Sequence, residues 1–145
     1  MRIHIAGMAG TLAALFAASA AMADVTLHDK AALEVFLSSG SPCCVIDARS
    51  ELNRMRTPLP DTLPYRKGLK INPTGVVVVV ADNDARAMAV GKLLADTSKA
   101  KDVYAVKGGA TTWRALTAGQ ATSGIRFVIP KNTCEQGVPL QELRY

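Results

Sequence analysis

Aromatic residues and histidines are scarce in this chain, and their scarcity excludes several functions. Only 5% of the 145 residues are aromatic, and the two histidines are His4 and His28. Proteins that bind single strands of nucleic acid stack the bases on aromatic side chains set among basic ones. No such alternation occurs here, so we expect no nucleic-acid partner. Nothing near His28 indicates a triad or a metal site, and we expect no metal and no other cofactor; we place His28 on the first helix, in a surface or capping role.

Long apolar runs are missing after residue 23. Before that point, Arg2 precedes an uncharged apolar run at residues 5–20, and residues 21–23 form a small-x-small sequence. These features are typical of a cleavable signal peptide. The run is rich in alanine and shorter than the roughly 20 residues that usually span a bilayer. We therefore predict cleavage before Asp24, a periplasmic or secreted location, and no membrane association of the mature chain.

The 122 residues after the predicted signal suffice for one small domain. We assign residues 24–120 to the domain and residues 121–145 to a C-terminal tail that packs on it or extends it. The mature net charge is +4, because Arg2 is the one charged residue of the signal. The basic excess is local: Arg54, Arg56, Arg66, Lys67 and Lys70. Such a face can attract acidic partners, although a solvated surface is the simpler interpretation.

Cysteine is also rare, with Cys43, Cys44 and Cys134 as its three copies. An oxidising compartment permits disulfides, and an odd number leaves one thiol over. A bond between the adjacent Cys43 and Cys44 would close a strained ring, so we predict that one of them pairs with Cys134. Neighbouring strand residues point to opposite faces, so at most one can reach the tail. Alternatively, Cys134 is a free redox or sulfur-accepting thiol, which nearby Lys131 would favour as thiolate.

Helical and strand patterns alternate along the mature chain, in the order helix, strand, loop, strand, helix, strand, helix. Thr26 with Asp29 resembles a capping arrangement for the first helix. The first predicted helix follows this cap and runs to about residue 37, with its apolar side among residues 31–37. The other predicted helices are a short one capped by Ser50 and ending at Arg56, 85–96 and 110–118. The predicted strands are residues 43–46, 76–80 and 103–106, and residues 125–129 are a candidate for an extra strand. Residues 57–75 are predicted to form an irregular connection.

The run of five valines at residues 76–80 indicates a strand in the middle of a parallel sheet, because both of its faces are apolar. Alternating strands and helices imply crossover connections and an α/β fold. Functional sites in such sheets lie beyond the carboxyl ends of the strands. Here those ends are residues 47–49, 81–86 and 107–109.

Four segments, in this order, resemble the rhodanese family. Residues 45–50 look like the family's strand ending in Asp-x-Arg, and the valine strand runs into a loop closed by Arg86. Residues 102–106 form the next strand, and Gly108-Gly109 precedes Trp113-Arg114. The resemblance covers about residues 25–120. It implies a small three-layer domain with a parallel sheet and helices on both faces, and it implies transfer of sulfane sulfur.

In rhodanese domains a cysteine after the central strand carries a persulfide, inside a loop whose N–H groups point at the sulfur. The loop here is Ala81, Asp82, Asn83, Asp84, Ala85 and Arg86. The residue at the position of the nucleophile is Ala81, which has no sulfur. Carboxylates repel anionic donors such as thiosulfate, whereas Asp and Asn are preferred helix caps. The family's Gly-His-Ile-Pro-Gly-Ala-like stretch is also missing. We therefore predict an inactive homologue that acts as a binding or accessory module for an unknown protein or small ligand.

Two alternatives stay open at this point. One relocates sulfur or redox chemistry to Cys134. The other makes the 81–86 loop an anion or cation sensor, with Asp82, Asp84 and Asp47 as oxygen ligands for a cation. Arg49 and Arg86 are further binding candidates with Asp47, although we favour a structural role in which both arginines pair with Asp47 beneath the loop.

Overall fold

The computed structural model describes residues 24–39, 42, 44–73, 75–100, 102–122 and 134. The predicted signal peptide, Cys43 and the possible strand at 125–129 lie outside the described residues. The strands are β1 (Asp24–His28), β2 (Cys44–Asp47), β3 (Leu63–Pro64), β4 (Val77–Val80) and β5 (Asp102–Val106). The helices are α1 (Lys30–Ser38), α2 (Glu51–Arg56), α3 (Asp84–Thr97) and α4 (Gly109–Thr122). In the described part of the chain, no helix has both the length and the apolarity to cross a membrane.

The five strands form one parallel sheet in the order β1-β5-β4-β2-β3. The valine strand β4 lies at the centre between β5 and β2, and all four of its residues are buried. This placement confirms the interpretation of the valine run, because a strand that is apolar on both faces needs cover above and below. The predicted α/β fold class is confirmed.

Helices cover both faces of the sheet. Side chains alternate along β4, so that Val77 and Val79 join one apolar cluster while Val78 and Val80 join the other. The first cluster includes the buried face of α3, and the second includes residues of α1 and α4. Trp113 of α4 is fully enclosed in the second cluster. The domain therefore has the three layers that were expected.

The main error of the sequence-based prediction lies at the start of the domain. Thr26 does not begin a helix but lies within β1, which pairs with β5 at the edge of the sheet. Asp29 caps α1, since its carboxylate accepts a hydrogen bond from the backbone N–H of Ala32 at 2.9 Å. Five residues of mixed polarity give little strand signal by themselves, and pairing with β5 decides their conformation.

His28 consequently lies at the end of β1, and its predicted position on the first helix is wrong. Its ring packs against the rings of Phe36 and Tyr104, each with centroids 4.9 Å away. Its Nε2 also lies 2.6 Å from Oγ1 of Thr26. His28 is therefore part of an aromatic contact between β1, α1 and β5.

Two further features concern the connection after α2 and the cysteines. The region predicted as irregular contains the two-residue strand β3, which pairs with the end of β2. A disulfide joins Cys44 to Cys134, one of the two pairings that the sequence left open, with the Cα atoms 6.0 Å apart. Both residues are buried. The backbone N–H of Asn72 also donates to the Cys134 carbonyl oxygen at 2.7 Å, so residue 134 is held against β2 and this connection.

Candidate functional site

The starts of three helices meet at the carboxyl edge of the sheet. Because β2, β4 and β5 are parallel, their carboxyl ends share one edge, and α2, α3 and α4 follow them in turn. The start of a helix carries unpaired backbone N–H groups and a partial positive charge. Residues 81–83 of the 81–86 loop connect β4 to α3, and residues 84–86 form the first turn of α3. This segment contacts the starts of both α2 and α4. Three sets of N–H donors therefore surround this loop.

Ala81 is the first residue of the loop, and it is buried. Its backbone is in close contact with the first residue of α4: a Cβ on Gly109 would lie only 2.5 Å from the Ala81 carbonyl oxygen. Gly109 also has a positive φ of 64°, as does Gly108 at 84°. Both the approach and the backbone conformation favour glycine. The Gly-Gly pair found in the sequence thus allows the two loops to touch.

Asp82 caps a helix other than its own. Its Oδ2 accepts a hydrogen bond from the backbone N–H of Ser50 at 2.6 Å, and its Oδ1 accepts one from the Asn53 side chain at 2.7 Å. Partial desolvation raises the pKa of Asp82, but these hydrogen bonds and the charge of Arg86 outweigh it, so the pKa lies below its usual range. The carboxylate is therefore held as an anion at the start of α2.

Asn83 and Asp84 satisfy the starts of the other two helices. Asn83 is the N-cap of α3, and its side-chain oxygen accepts from the backbone N–H of Arg86 at 2.8 Å. Oδ1 of Asp84 accepts from the backbone N–H of Gly108, directly before α4, at 3.0 Å. All three polar residues of the loop thus make the capping contacts that Asp and Asn favour. Asp82 and Asp84 therefore accept hydrogen bonds from backbone N–H groups at the starts of α2 and α4, which are donors of the kind that a bound anion would use.

A buried ion pair lies beneath the loop. Arg49 contacts both oxygens of Asp47, through Nη2 at 2.7 Å and Nε at 2.9 Å. Its Nη1 donates to the Thr57 carbonyl oxygen at 3.0 Å. The hydrogen bond to Asp47 raises the pKa of Arg49 despite the opposing effect of burial. This bidentate geometry matches the structural role that we favoured for the pair.

Arg86 does not join this ion pair, and the expectation that it would is wrong. Its Nε donates to the backbone carbonyl of Ala48 at 2.5 Å, and among the described residues the Asp47 carboxylate is paired with Arg49 alone. Arg49 contacts both carboxylate oxygens, and its backbone N–H also donates to Oδ1 at 3.2 Å. Arg86 instead ties the start of α3 to the end of β2.

Two clefts flank α2. One, of about 210 Å³, is beside Ala81 and is smaller than the roughly 300–1,000 Å³ of most ligand pockets. It is lined by Arg49, Asn53, Thr57, Ala81, Asp82 and residues 108–111. The other, of about 330 Å³, lies between α2 and β3. It is lined by Asp47, Glu51, Arg54, Met55, Pro58, Leu59, Thr62 and Pro64.

The structure gives little support to the two alternative chemistries. Cys134 is buried in a disulfide, so this form of the protein has no free thiol at that position. Among the described residues, no three His, Cys, Asp or Glu side chains are grouped so that they could hold a metal ion. The carboxylates of Asp47, Asp82 and Asp84 each accept hydrogen bonds from neighbouring groups instead.

Some residues at this site were not recognised from the sequence as part of it. Ser50 was identified as a helix cap, but neither it nor Asn53 was expected to contact Asp82. Nothing in the local sequence signals a contact between residues that lie 32 positions apart in the chain, as Ser50 and Asp82 do.

Comparisons of the chain with protein-family models, with curated proteins and with solved structures gave no match.

Proposed function

We propose that this chain is an exported, rhodanese-like domain that does not transfer sulfur and acts as a binding or accessory module. The observation that carries the proposal is the 81–86 loop. At the position of the nucleophile stands Ala81, and the loop's own carboxylates accept hydrogen bonds at the starts of α2 and α4. The order of the motifs and the three-layer parallel fold support the family assignment.

The chemistry of the loop supports an inactive site. Sulfur transfer needs a thiolate that attacks the donor and then holds the persulfide as an anion. Alanine supplies neither a nucleophile nor an ionisable proton. The donors that stabilise such an anion are backbone N–H groups at a helix start, whose field also lowers a thiol pKa. Here Asp82 and Asp84 compete for N–H groups at this edge, and their charges oppose entry of an anionic donor.

Sulfur transfer through Cys134 is the less favoured alternative. Its sulfur is bonded to Cys44, so the thiolate that would attack a sulfane donor such as thiosulfate is absent until that bond is reduced. Sensing of an anion or a cation by the loop is also less favoured, because its side chains already have protein partners.

The direct test is an assay of sulfur transfer from thiosulfate to cyanide, with thiocyanate measured as product, on protein beginning at Asp24. We expect no production above the buffer rate, with or without prior reduction of the disulfide. Turnover well above buffer would overturn the proposal. If turnover appears only after reduction and Cys134 carries a persulfide in mass spectra, the tail cysteine is the active thiol instead.

Export is tested separately by Edman sequencing of the protein recovered from its native host. We expect the mature chain to begin at Asp24 and to be recovered outside the cytoplasm. Recovery of an uncleaved chain from the cytoplasm would contradict the exported location while leaving the assay for sulfur transfer unaffected.

A further inference from the structure

The two edges of the sheet differ in how they are protected from pairing with a further strand. β3, at one edge, has two residues and contains Pro64, and both a short strand and a proline block an edge. β1, at the other edge, has five residues and contains neither proline nor lysine. Among the described residues β1 pairs with β5 alone. In this part of the chain, the outer side of β1 is therefore open to a further strand.

The hydrogen bonds to β5 show which backbone groups of β1 face outward. The His28 carbonyl oxygen accepts from the backbone N–H of Lys107 at 2.8 Å, so His28 directs its backbone groups towards β5. These groups alternate in direction from one residue of a strand to the next. The N–H and carbonyl groups of Val25 and Leu27 therefore face away from β5. Each chain presents two donors and two acceptors along this edge.

The side chains of β1 are arranged symmetrically about its central residue, Thr26. Val25 and Leu27 are apolar and share one face of the strand, and Leu27 is 37% exposed. Asp24 and His28 are polar and lie at the two ends, on the other face. In an antiparallel pairing of two copies centred on Thr26, Val25 of each copy lies opposite Leu27 of the other. Asp24 then lies opposite His28 of the second copy.

We propose that two copies of this chain form a dimer by antiparallel pairing of their β1 strands, with the two-fold axis at Thr26. In this register the N–H of Val25 donates to the Leu27 carbonyl of the second copy, and the N–H of that Leu27 donates back to the Val25 carbonyl. The two-fold axis repeats this exchange, and the two five-stranded sheets become one continuous sheet. This interface goes beyond the function proposed above and does not depend on it.

Charge and apolar surface favour a second copy as the occupant. Asp24 is level with Asp102 of β5, which puts a like charge on its inner side. Self-pairing places His28 of the second copy on its outer side, where the Nδ1 of that ring can donate a hydrogen bond to the carboxylate. The carboxylate of the next residue, Asp29, is directed instead at the start of α1, which it caps. Phe36, 46% exposed, contacts His28 and adds an apolar ring beside the edge.

Two other kinds of strand are less favoured at this edge. The tail segment 125–129 precedes residue 134, which is bonded to Cys44 at the start of β2. Since β5 and β4 lie between β2 and β1, this fixed point of the tail is away from the β1 edge. A strand from another protein would use the same backbone groups, but the symmetric pattern around Thr26 matches a second copy at every position.

Sedimentation velocity of the oxidised chain beginning at Asp24, at concentrations from about 1 μM to about 1 mM, measures the association. We expect an equilibrium between monomer and dimer. Leu27→Pro removes an outward N–H that β5 does not use, a position where an edge strand accepts proline. We expect it to raise the dissociation constant of the dimer at least about tenfold.

A second variant and a control separate the loss of pairing from misfolding. Leu27→Lys keeps the backbone donor but places a charge against the apolar Val25 of the second copy, and we expect a similar rise of at least about tenfold. Leu52→Lys is the matched control on α2, where Leu52 is 56% exposed, and we expect no change. Circular dichroism of each variant verifies the fold.

A cysteine at the axis tests the register. The two copies of residue 26 would form a pair without hydrogen bonds between them, with Cα atoms about 4.5 Å apart, a distance that a disulfide spans. In a Cys43→Ser background, Thr26→Cys should therefore give a covalent dimer when oxidised glutathione is the oxidant. Leu27→Cys in the same background is the control, because Leu27 is the more exposed residue but does not face its own copy. We expect it to stay uncrosslinked.

Several outcomes would overturn the dimer. These are a monomer at every concentration, a dimer that both Leu27 variants leave unchanged, and equal crosslinking of Thr26→Cys and Leu27→Cys. In a monomer, slow amide hydrogen exchange at Val25 and Leu27 would assign the edge to the tail segment 125–129 instead. None of these results depends on thiocyanate production, so failure of the dimer is distinguishable from failure of the proposed lack of sulfur transfer.

Discussion

The carboxylate of Asp82 and the backbone N–H of Ser50 are joined by a hydrogen bond of 2.6 Å across 32 residues of sequence. Asp82 belongs to the loop after the central strand, whereas Ser50 is the N-cap of α2. The contact therefore fixes the start of α2 to the centre of the sheet edge. It also places the charge of Asp82 where a helix start favours an anion.

The first prediction concerns this carboxylate. Asp82→Asn keeps an acceptor oxygen but removes the charge, so it should lower the free energy of unfolding at pH 7 by roughly 0.3–1 kcal/mol, the usual worth of a negative charge at a helix start. Because the folded pKa lies below the unfolded value, the ionised group stabilises the fold above about pH 4. That stabilisation is lost as the pH falls through the folded pKa, so the variant should lose less stability than the wild type in acid. Solvent exposure keeps the difference small.

Urea unfolding at pH 7 and at pH 3 measures both effects. Asp61→Asn is a matched control, because Asp61 is an exposed aspartate with a φ of 55°, a conformation that asparagine also adopts. A pH dependence in Asp82→Asn identical to that of the wild type would show that the charge of Asp82 contributes nothing to stability.

The second prediction introduces a nucleophile at residue 81. Ala81→Cys alone should give little sulfur transfer, because Asp82 and Asp84 still accept hydrogen bonds at this edge and repel thiosulfate. Adding Asp82→Ser and Asp84→Gly removes both charges, and we expect at least about tenfold more turnover than in the single variant, equivalent to about 1.4 kcal/mol. Thiocyanate production measures it, and the same triple variant with Ala81→Ser is the thiol-free control. Full activity in Ala81→Cys alone would contradict the role given to the carboxylates.

The local sequence pattern predicted the central strand of the sheet but not the two edge strands. The valine run predicted β4 because no other position in an α/β sheet accepts a strand that is apolar on both faces. β1 and β3 were missed, since each is short, lies at an edge and depends on pairing with a distant strand. The same limit applies to the site. Asp82 and Asn83 were recognised as capping residue types, yet nothing local shows that Asp82 reaches Ser50 or that Arg86 reaches Ala48.

The third prediction tests the contact between Ala81 and Gly109, the first residue of α4. Gly109→Ala should destabilise the protein by about 1–3 kcal/mol, because its Cβ would collide with the Ala81 carbonyl oxygen in a conformation that alanine rarely adopts. Gly119→Ala is the matched control in the same helix, where a Cβ would meet nothing within 4 Å. It should stabilise by up to about 1 kcal/mol through helix propensity. Thermal unfolding compares the two, and equal effects would argue against a close approach at Gly109.

The fourth prediction concerns the disulfide. Cys44 and Cys134 are 90 residues apart, and closing a loop of this size is worth about 4–5 kcal/mol in the chain-entropy model. Replacing both cysteines with alanine should therefore lower the free energy of unfolding by about 2–5 kcal/mol, the range found for native disulfides. Urea unfolding with and without reductant measures this loss. Reductant should destabilise the wild type but not the double variant; equal sensitivity of the two would show that the bond does not stabilise the fold.

The last prediction asks why loss of Arg49 destabilises the fold: because the buried Asp47 carboxylate is left unpaired, or because other contacts of Arg49 are lost. Arg49→Met leaves the Asp47 carboxylate buried without its bidentate partner, and breaking a buried pair in this way costs about 3–5 kcal/mol. Adding Asp47→Leu removes the stranded charge, so the double variant should be more stable than Arg49→Met alone, although it still lacks the contact from Arg49 to Thr57. Lys92→Met controls for loss of a surface cation. Urea unfolding of all three variants decides the matter: if Arg49→Met and the double variant are equally destabilised, the cost lies in the lost Thr57 contact rather than in an unpaired carboxylate.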